Sequence, residues 1–258
     1  MRCVAPTVSR ALGVRPPSSS EEGPHREVAK TLKSTDRLVV VVVDAFGHAT
    51  WEAVRELTPC FNALHAAHGA LIDSVMPTIT PVNFATMLTG ASPASHGITN
   101  REQPLALETV FHVLRGVNMT SATAARAVSS LGILISPHAD RPGIAASNTD
   151  DEVTGIALRA MEGGANLLWV QLLDVDDAGH AHGPLSRDSR DAASRADSNL
   201  RKILVAAHRG GYSALVLADH GQHTIEKNGA VQGTHGTDIP QDTVVPLAWA
   251  NNDELGAG

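Results

Sequence analysis

Arg37-Leu38-Val39-Val40-Val41-Val42-Val43-Asp44 is an unbroken β-branched run that ends in a carboxylate. Continuous rather than alternating apolar character belongs to a strand covered on both faces, as inside a parallel sheet. Asp44 then lies at the carboxyl end of the strand, the rim where open α/β sheets put their ligands. Two later stretches repeat the pattern. Ala165-Asn166-Leu167-Leu168-Trp169-Val170-Gln171-Leu172-Leu173 leads into Asp174-Val175-Asp176-Asp177-Ala178-Gly179-His180, and Ser213-Ala214-Leu215-Val216-Leu217-Ala218 leads into Asp219-His220-Gly221. Helical patterns lie between them, at 49–57, 58–69, 109–117, 151–161 and, as a long amphipathic segment, 187–209. Residues 120–131 read as helical or mixed, 132–135 as a short strand and 70–75 as another. Val244–Trp249 reads as the last strand, at a sheet edge because of Pro246. The class is α/β with a mostly parallel central sheet.

A chain of 258 residues, 43% hydrophobic and 18% charged, has enough apolar surface for one large domain. A net charge of −7 excludes a nucleic-acid duplex as the main partner. Two cysteines are too few for a disulfide scaffold or a cysteine-rich metal site. No apolar run is long enough to cross a membrane. Residues 1–36, rich in Pro, Ser and Glu, read as a flexible leader with a short helix at 27–32, and 37–258 as a single catalytic domain. No signal peptide is evident, so the cytoplasm is the expected location, or the periplasm or exterior if a signal lies upstream.

The chemistry centres on Val75–Asn100. Thr80 sits between Pro77 and Pro81 at the expected N-cap of a helix over 82–88, where free N–H groups and the helix dipole favour an anion. Taken singly, Thr80 is an ordinary cap and Asp44 an ordinary post-strand turn residue. Three buried strands ending in Asp, joined by His180 and His235 in glycine-flanked loops, are harder to explain by packing. Carboxylates and imidazoles at that density need a cation to neutralise them. Asp and His without Cys suit zinc, with manganese as the alternative.

These residues resemble the alkaline phosphatase superfamily, and within it the nucleotide pyrophosphatase/phosphodiesterase (type I phosphodiesterase) family. The resemblance rests on Asp44, Pro77-Thr78-Ile79-Thr80-Pro81-Val82-Asn83, Thr89-Gly90-Ala91-Ser92-Pro93-Ala94-Ser95-His96-Gly97-Ile98, Asp176 to Pro184, Asp219-His220-Gly221 and Gly233 to Gly236. It implies a three-layer αβα sandwich with a minimal cap. It implies Thr80 as nucleophile and Asn83 as donor to a phosphate oxygen. One zinc would be held by Asp44, Asp219, His220 and the Thr80 oxygen, and a second by Asp176, His180 and His235. His48, His96, Asp174, His182 and His223 are expected around the site rather than on the ions. Pro81 stands where many members carry an aromatic residue that packs on a nucleobase.

The expected activity is two-metal hydrolysis of a small-molecule phosphate ester, as a phosphodiesterase acting through a phospho-threonine. A phosphomonoesterase or phosphonoacetate hydrolase-like enzyme is the nearest alternative. A non-catalytic phosphate-ester binder would be expected to have lost a ligand, and a sulfatase would need a modified Cys or Ser.

Overall fold

The computed structural model describes residues 1–256. Its strands are β1 (Leu38–Val43), β2 (Gly69–Asp73), β3 (Ser121–Arg126), β4 (Arg141–Ala145), β5 (Leu167–Leu172), β6 (Ser213–Leu217), β7 (His223–Lys227), β8 (Ala230–Thr234) and β9 (Val244–Ala250). Seven form one sheet in the order β2-β9-β6-β1-β5-β3-β4. β6, β1, β5, β3 and β4 run parallel, and β9 pairs antiparallel with both β6 and β2. Every residue of β1, β3, β5 and β6 is buried, the result of helices covering both faces. The helices Pro59–Ala67, Asp150–Glu162 and Arg187–Gly210 pack together as one layer. Val4–Ala11, Thr80–Thr89 and Val110–Arg115 group as the other. No helix among the described residues is long and apolar enough to cross a membrane.

Four expectations need correction. Residues 1–36 are not a loose leader. Val4, Val8 and Leu12, spaced as one helical face, are buried with Ala5 and Ala11 against the helix Thr80–Thr89. Arg15 grips Glu108 through two 2.7 Å bonds, and Glu21 accepts from Ser92 and Ser95. The Pro/Ser/Glu stretch that suggested mobility is therefore a strap across the domain. Residues 121–126 form a strand, because its small side chains (Ser, Ala, Thr) fit under the helices on both faces. Residues Leu131–Ile135 form a π-helical turn, not a strand. Last, β9 lies inside the sheet. Pro246 is tolerated there because it falls just beyond the Leu217–Leu247 pair that ends the β6 ladder, and its carbonyl still accepts from Ala218.

The hairpin β7-β8 stands apart from the main sheet. Its turn residues Asn228 and Gly229 have φ of 54° and 74°, the left-handed pair that a tight hairpin requires.

Candidate active site

The strands that end in carboxylates are neighbours in the sheet. β6, β1 and β5 lie side by side, so Asp219, Asp44 and the helix Asp174–His182 meet on one rim. That helix carries Asp176 and His180 four residues apart, on one face. The hairpin returns the chain to the same rim and delivers His235 after β8. Two clusters result. Asp44, Asp219 and His220 are fully buried, while Asp176, His180 and His235 are partly open; in each, one ligand atom per residue lies within 4.8 Å of the others. Imidazoles of the two clusters touch, the rings of His220 and His235 stacking at 4.0 Å.

Each histidine is oriented the same way. Nδ1 donates to a backbone carbonyl, of Gly233 from His180 (3.1 Å), of Thr78 from His235 (2.8 Å) and of Gly221 from His220 (3.1 Å). A carbonyl can only accept, so Nδ1 carries the proton and Nε2 turns its lone pair inward, as in metal-binding histidines. The Nε2 atoms of His180 and His235 then approach to 3.1 Å. Oδ2 of Asp219 is buried with no hydrogen-bond partner. Facing lone pairs and an orphaned carboxylate oxygen are arrangements that a cation would satisfy, and the donor set suits zinc.

The electrostatics agree. Burial, then the neighbouring Asp219 and Asp176, pushes the Asp44 carboxyl well above the usual range. Burial and Asp176 push Asp219 up to about 7. Burial lowers His220, and burial with His220 holds His235 down to about 4. His180 is the exception, raised to about 9 by its hydrogen bond to Asp176. Burial alone would raise Asp176, but the bond and charge of His180 outweigh it and leave that carboxyl lowered. Asp44 and Asp219 driven toward neutrality beside the neutral imidazoles of His220 and His235 mark a site short of positive charge.

Thr80 is the first residue of the helix Thr80–Thr89 and Ile79 is its cap, so the Thr80 hydroxyl is not spent on capping as expected. Its Oγ1 donates to His220 Nε2 at 3.1 Å and lies 3.5 Å from Asp44 Oδ1. Thr78 accepts from Gly236 N at 2.9 Å and donates to the Thr237 carbonyl, tying the Thr80 turn to the His235 loop. The expected phosphate-donor role of Asn83 does not match its geometry. Asn83 is fully buried; its Oδ1 accepts from Val75 N at 2.9 Å and its amide donates to the carbonyls of Val75 and Ile79. It braces the turn that carries Thr80.

The histidines and aspartate expected around the site lie outside both clusters. His96 bonds Thr86 and accepts from Ile98 N. His223 meets the buried Asp242 at 2.8 Å, and His48 lies near Glu52. Asp174 pairs with Arg126 and Arg195, and His182 is exposed. The sequence reading missed Gln171, Gln222 and Arg126. Gln171 is the polar interruption of an apolar strand and Gln222 follows Asp219-His220-Gly221 directly; both were legible as oddities. Arg126, at the end of β3, is 1% exposed and paired with Asp150, Asp174 and Asp177. It ends a strand that lies within residues 120–131, which read as helical or mixed from the sequence.

Comparison with known proteins places the fold. Murine ectonucleotide pyrophosphatase/phosphodiesterase 5 superposes with a TM-score of 0.67 at 15% identity, over 82% of this chain and 87% of that one. Phosphonoacetate hydrolase from Sinorhizobium meliloti, in complex with phosphonoformate, gives 0.59 at 18% identity, over 75% of this chain and 58% of its own. The present chain thus spans little more than half of that enzyme. The zinc complex of the C-terminal periplasmic domain of EcEptC from Escherichia coli gives 0.58 at 14%, over 86% and 75%. A search of curated proteins gives no significant match. The profile of type I phosphodiesterase / nucleotide pyrophosphatase matches residues 38–113 and 121–249, which include all six residues of the two clusters, and Thr80 as well. With most of the sequence matched and the fold shared, this chain belongs to the type I phosphodiesterase / nucleotide pyrophosphatase family.

Proposed function

We propose that the protein is a two-metal phosphodiesterase that uses Thr80 as nucleophile. The observation that carries this reading is the Thr80 hydroxyl at 3.1 Å from His220 and 3.5 Å from Asp44, at the edge of one cluster and beside the other. Asp44, Asp219 and His220 would hold one ion together with Thr80; Asp176, His180 and His235 would hold the other. Zinc fits the donor set, and manganese is the second choice. Ions bound there would lower the pKa of the hydroxyl and offset charge on the attacking and leaving oxygens.

The chain supplies the rest. Asn83 and Thr78 fix the turn so that Oγ1 faces the clusters without rotamer search. Oγ1 bonds to phosphorus as the P–O bond to the leaving alcohol breaks. Water then cleaves the phospho-threonine and restores the hydroxyl. The N–H of Thr80, in the first helical turn, is free to meet a non-bridging oxygen in place of Asn83.

Diester preference follows from the lack of a Lys or Arg in the nucleophile's own segment; Arg101 and Arg187 would have to fold back from outside it. A monoester brings nearly two negative charges, a diester one. Residues 71–100 contain no Lys or Arg, and Arg126, the basic residue buried beside Asp177, is committed to three carboxylates. Pro81 offers no aromatic ring for a nucleobase, which favours small aryl or alkyl diesters. The test is a panel of chromogenic mono- and diesters with one common leaving group, run with added zinc or manganese.

A further inference from the structure

Two buried carboxamides connect the clusters. Gln171 is 1% exposed in the middle of the sheet, between Val170 and Leu172 of β5. Its Nε2 donates to Asp44 Oδ2, and its Oε1 accepts from Leu131 N at 3.0 Å, in the π-helical turn. Gln222 is 3% exposed. Its Nε2 donates to Asp176 Oδ1 at 2.6 Å and to the Asp176 carbonyl at 3.2 Å. Gln222 fits only because two glycines leave it room. A Cβ on Gly179 would fall 1.8 Å from Gln222 Oε1, and one on Gly233 would fall 2.9 Å from the same atom.

The direction of these bonds matters. Gln171 lies on the segment that runs on to Asp176 and His180, yet it holds Asp44. Gln222 lies two residues beyond His220, yet it holds Asp176. Buried amides cost stability unless bonded, and a core glutamine needs only any acceptor. Both of these reach across to a carboxylate of the other cluster. We propose that Gln171 and Gln222 are positioning residues that cross-brace the two clusters, each amide fixing the carboxylate of the opposite one. This rests on the metal reading above, and groups that orient metal ligands usually govern affinity as well.

Calorimetric titration of zinc into chelator-stripped protein tests it. His220→Ala leaves only the Asp176 cluster intact, and His180→Ala only the Asp44 cluster. In the His220→Ala background, Gln222→Met is expected to weaken zinc binding by roughly 10- to 100-fold, while Gln171→Met changes it by about twofold or less. In the His180→Ala background the two glutamine variants exchange effects. Should a Met variant fail to fold, judged by circular dichroism in chelator, Gln222→Leu and Gln171→Leu replace it; each loses the donor without adding a charge, and the same crossed pattern is expected. Equal weakening of both clusters, or of neither, overturns the cross-bracing but leaves the metal reading standing. A wild-type protein that binds no zinc overturns the metal reading itself.

Discussion

The Nε2 atoms of His180 and His235 face each other at 3.1 Å, each ring anchored at its far side by a backbone carbonyl. Two lone pairs repel at that distance unless a proton or a cation lies between them. A proton on His180, whose pKa the hydrogen bond to Asp176 raises to about 9, is one way to relieve that contact; a metal ion is the other.

The first prediction follows from that choice. Purified protein is expected to carry two zinc or manganese ions per chain, and chelation is expected to lower its melting temperature. Elemental analysis and thermal melts check both. A metal-free protein that no divalent ion activates or stabilises would falsify the two-metal reading.

Thr80→Ala is expected to lower kcat by roughly 10³-fold or more, the scale seen when a nucleophile is removed. Its melting temperature should stay close to wild type, because the hydroxyl caps nothing. Thr80→Ser keeps a hydroxyl and should retain part of the activity. Rates in the Ala variant close to wild type would leave Thr80 without a catalytic role.

Substrate charge is the third test. An aryl diester is expected to show higher kcat/KM than the monoester with the same leaving group. A tenfold advantage for the monoester, about 1.4 kcal/mol at the transition state, would mean that a cation reaches the phosphate after all and that the diesterase assignment is wrong.

Arg126 bears on stability. It is buried among Asp150, Asp174 and Asp177, and Asp150 also receives the amides of Leu173 and Asp174 at the start of the Asp176 helix. Removing one partner of such a cluster strands buried charge. Arg126→Met is expected to cost about 3–5 kcal/mol in urea unfolding. A loss under about 1 kcal/mol, the range of exposed pairs, would show that the carboxylates relax into solvent.

The strap should loosen in acid. Hydrogen bonds from Ser95 and Ser92 hold Glu21 down to about 2, and the bond from Arg15 does the same for Glu108, against an ordinary value of 4.5. A folded-state pKa below the unfolded one adds stability that is complete above the unfolded value and fades as pH falls toward the folded one. Docking of residues 12–24 is therefore expected to weaken between about pH 4.5 and 2, seen as faster amide exchange there than in β1. Glu21→Gln with Glu108→Gln should flatten that dependence; an unchanged pH profile in the double variant would remove these two carboxylates as its cause.

Much of this protein is legible in its residues. Unbroken apolar runs such as Leu38–Val43 specify strands buried on both faces, since any exposed face would require polar alternation. The carboxylates and imidazoles that follow those runs, from Asp44 to His235, announce chemistry because so much buried charge has no packing purpose. The signals are local, within a strand and its following turn, and sequence holds local signals well. What the fold alone decided is relational. That β6, β1 and β5 are adjacent, which brings three distant carboxylates to one rim, depends on pairing across more than a hundred residues. That Asn83 turns to its own backbone, that Gln171 and Gln222 reach across to Asp44 and Asp176, and that residues 1–36 form a strap all depend on which neighbour offers a partner. A buried polar group or an amphipathic helix takes the partner that satisfies it at least cost, and only the packed chain determines where that partner lies.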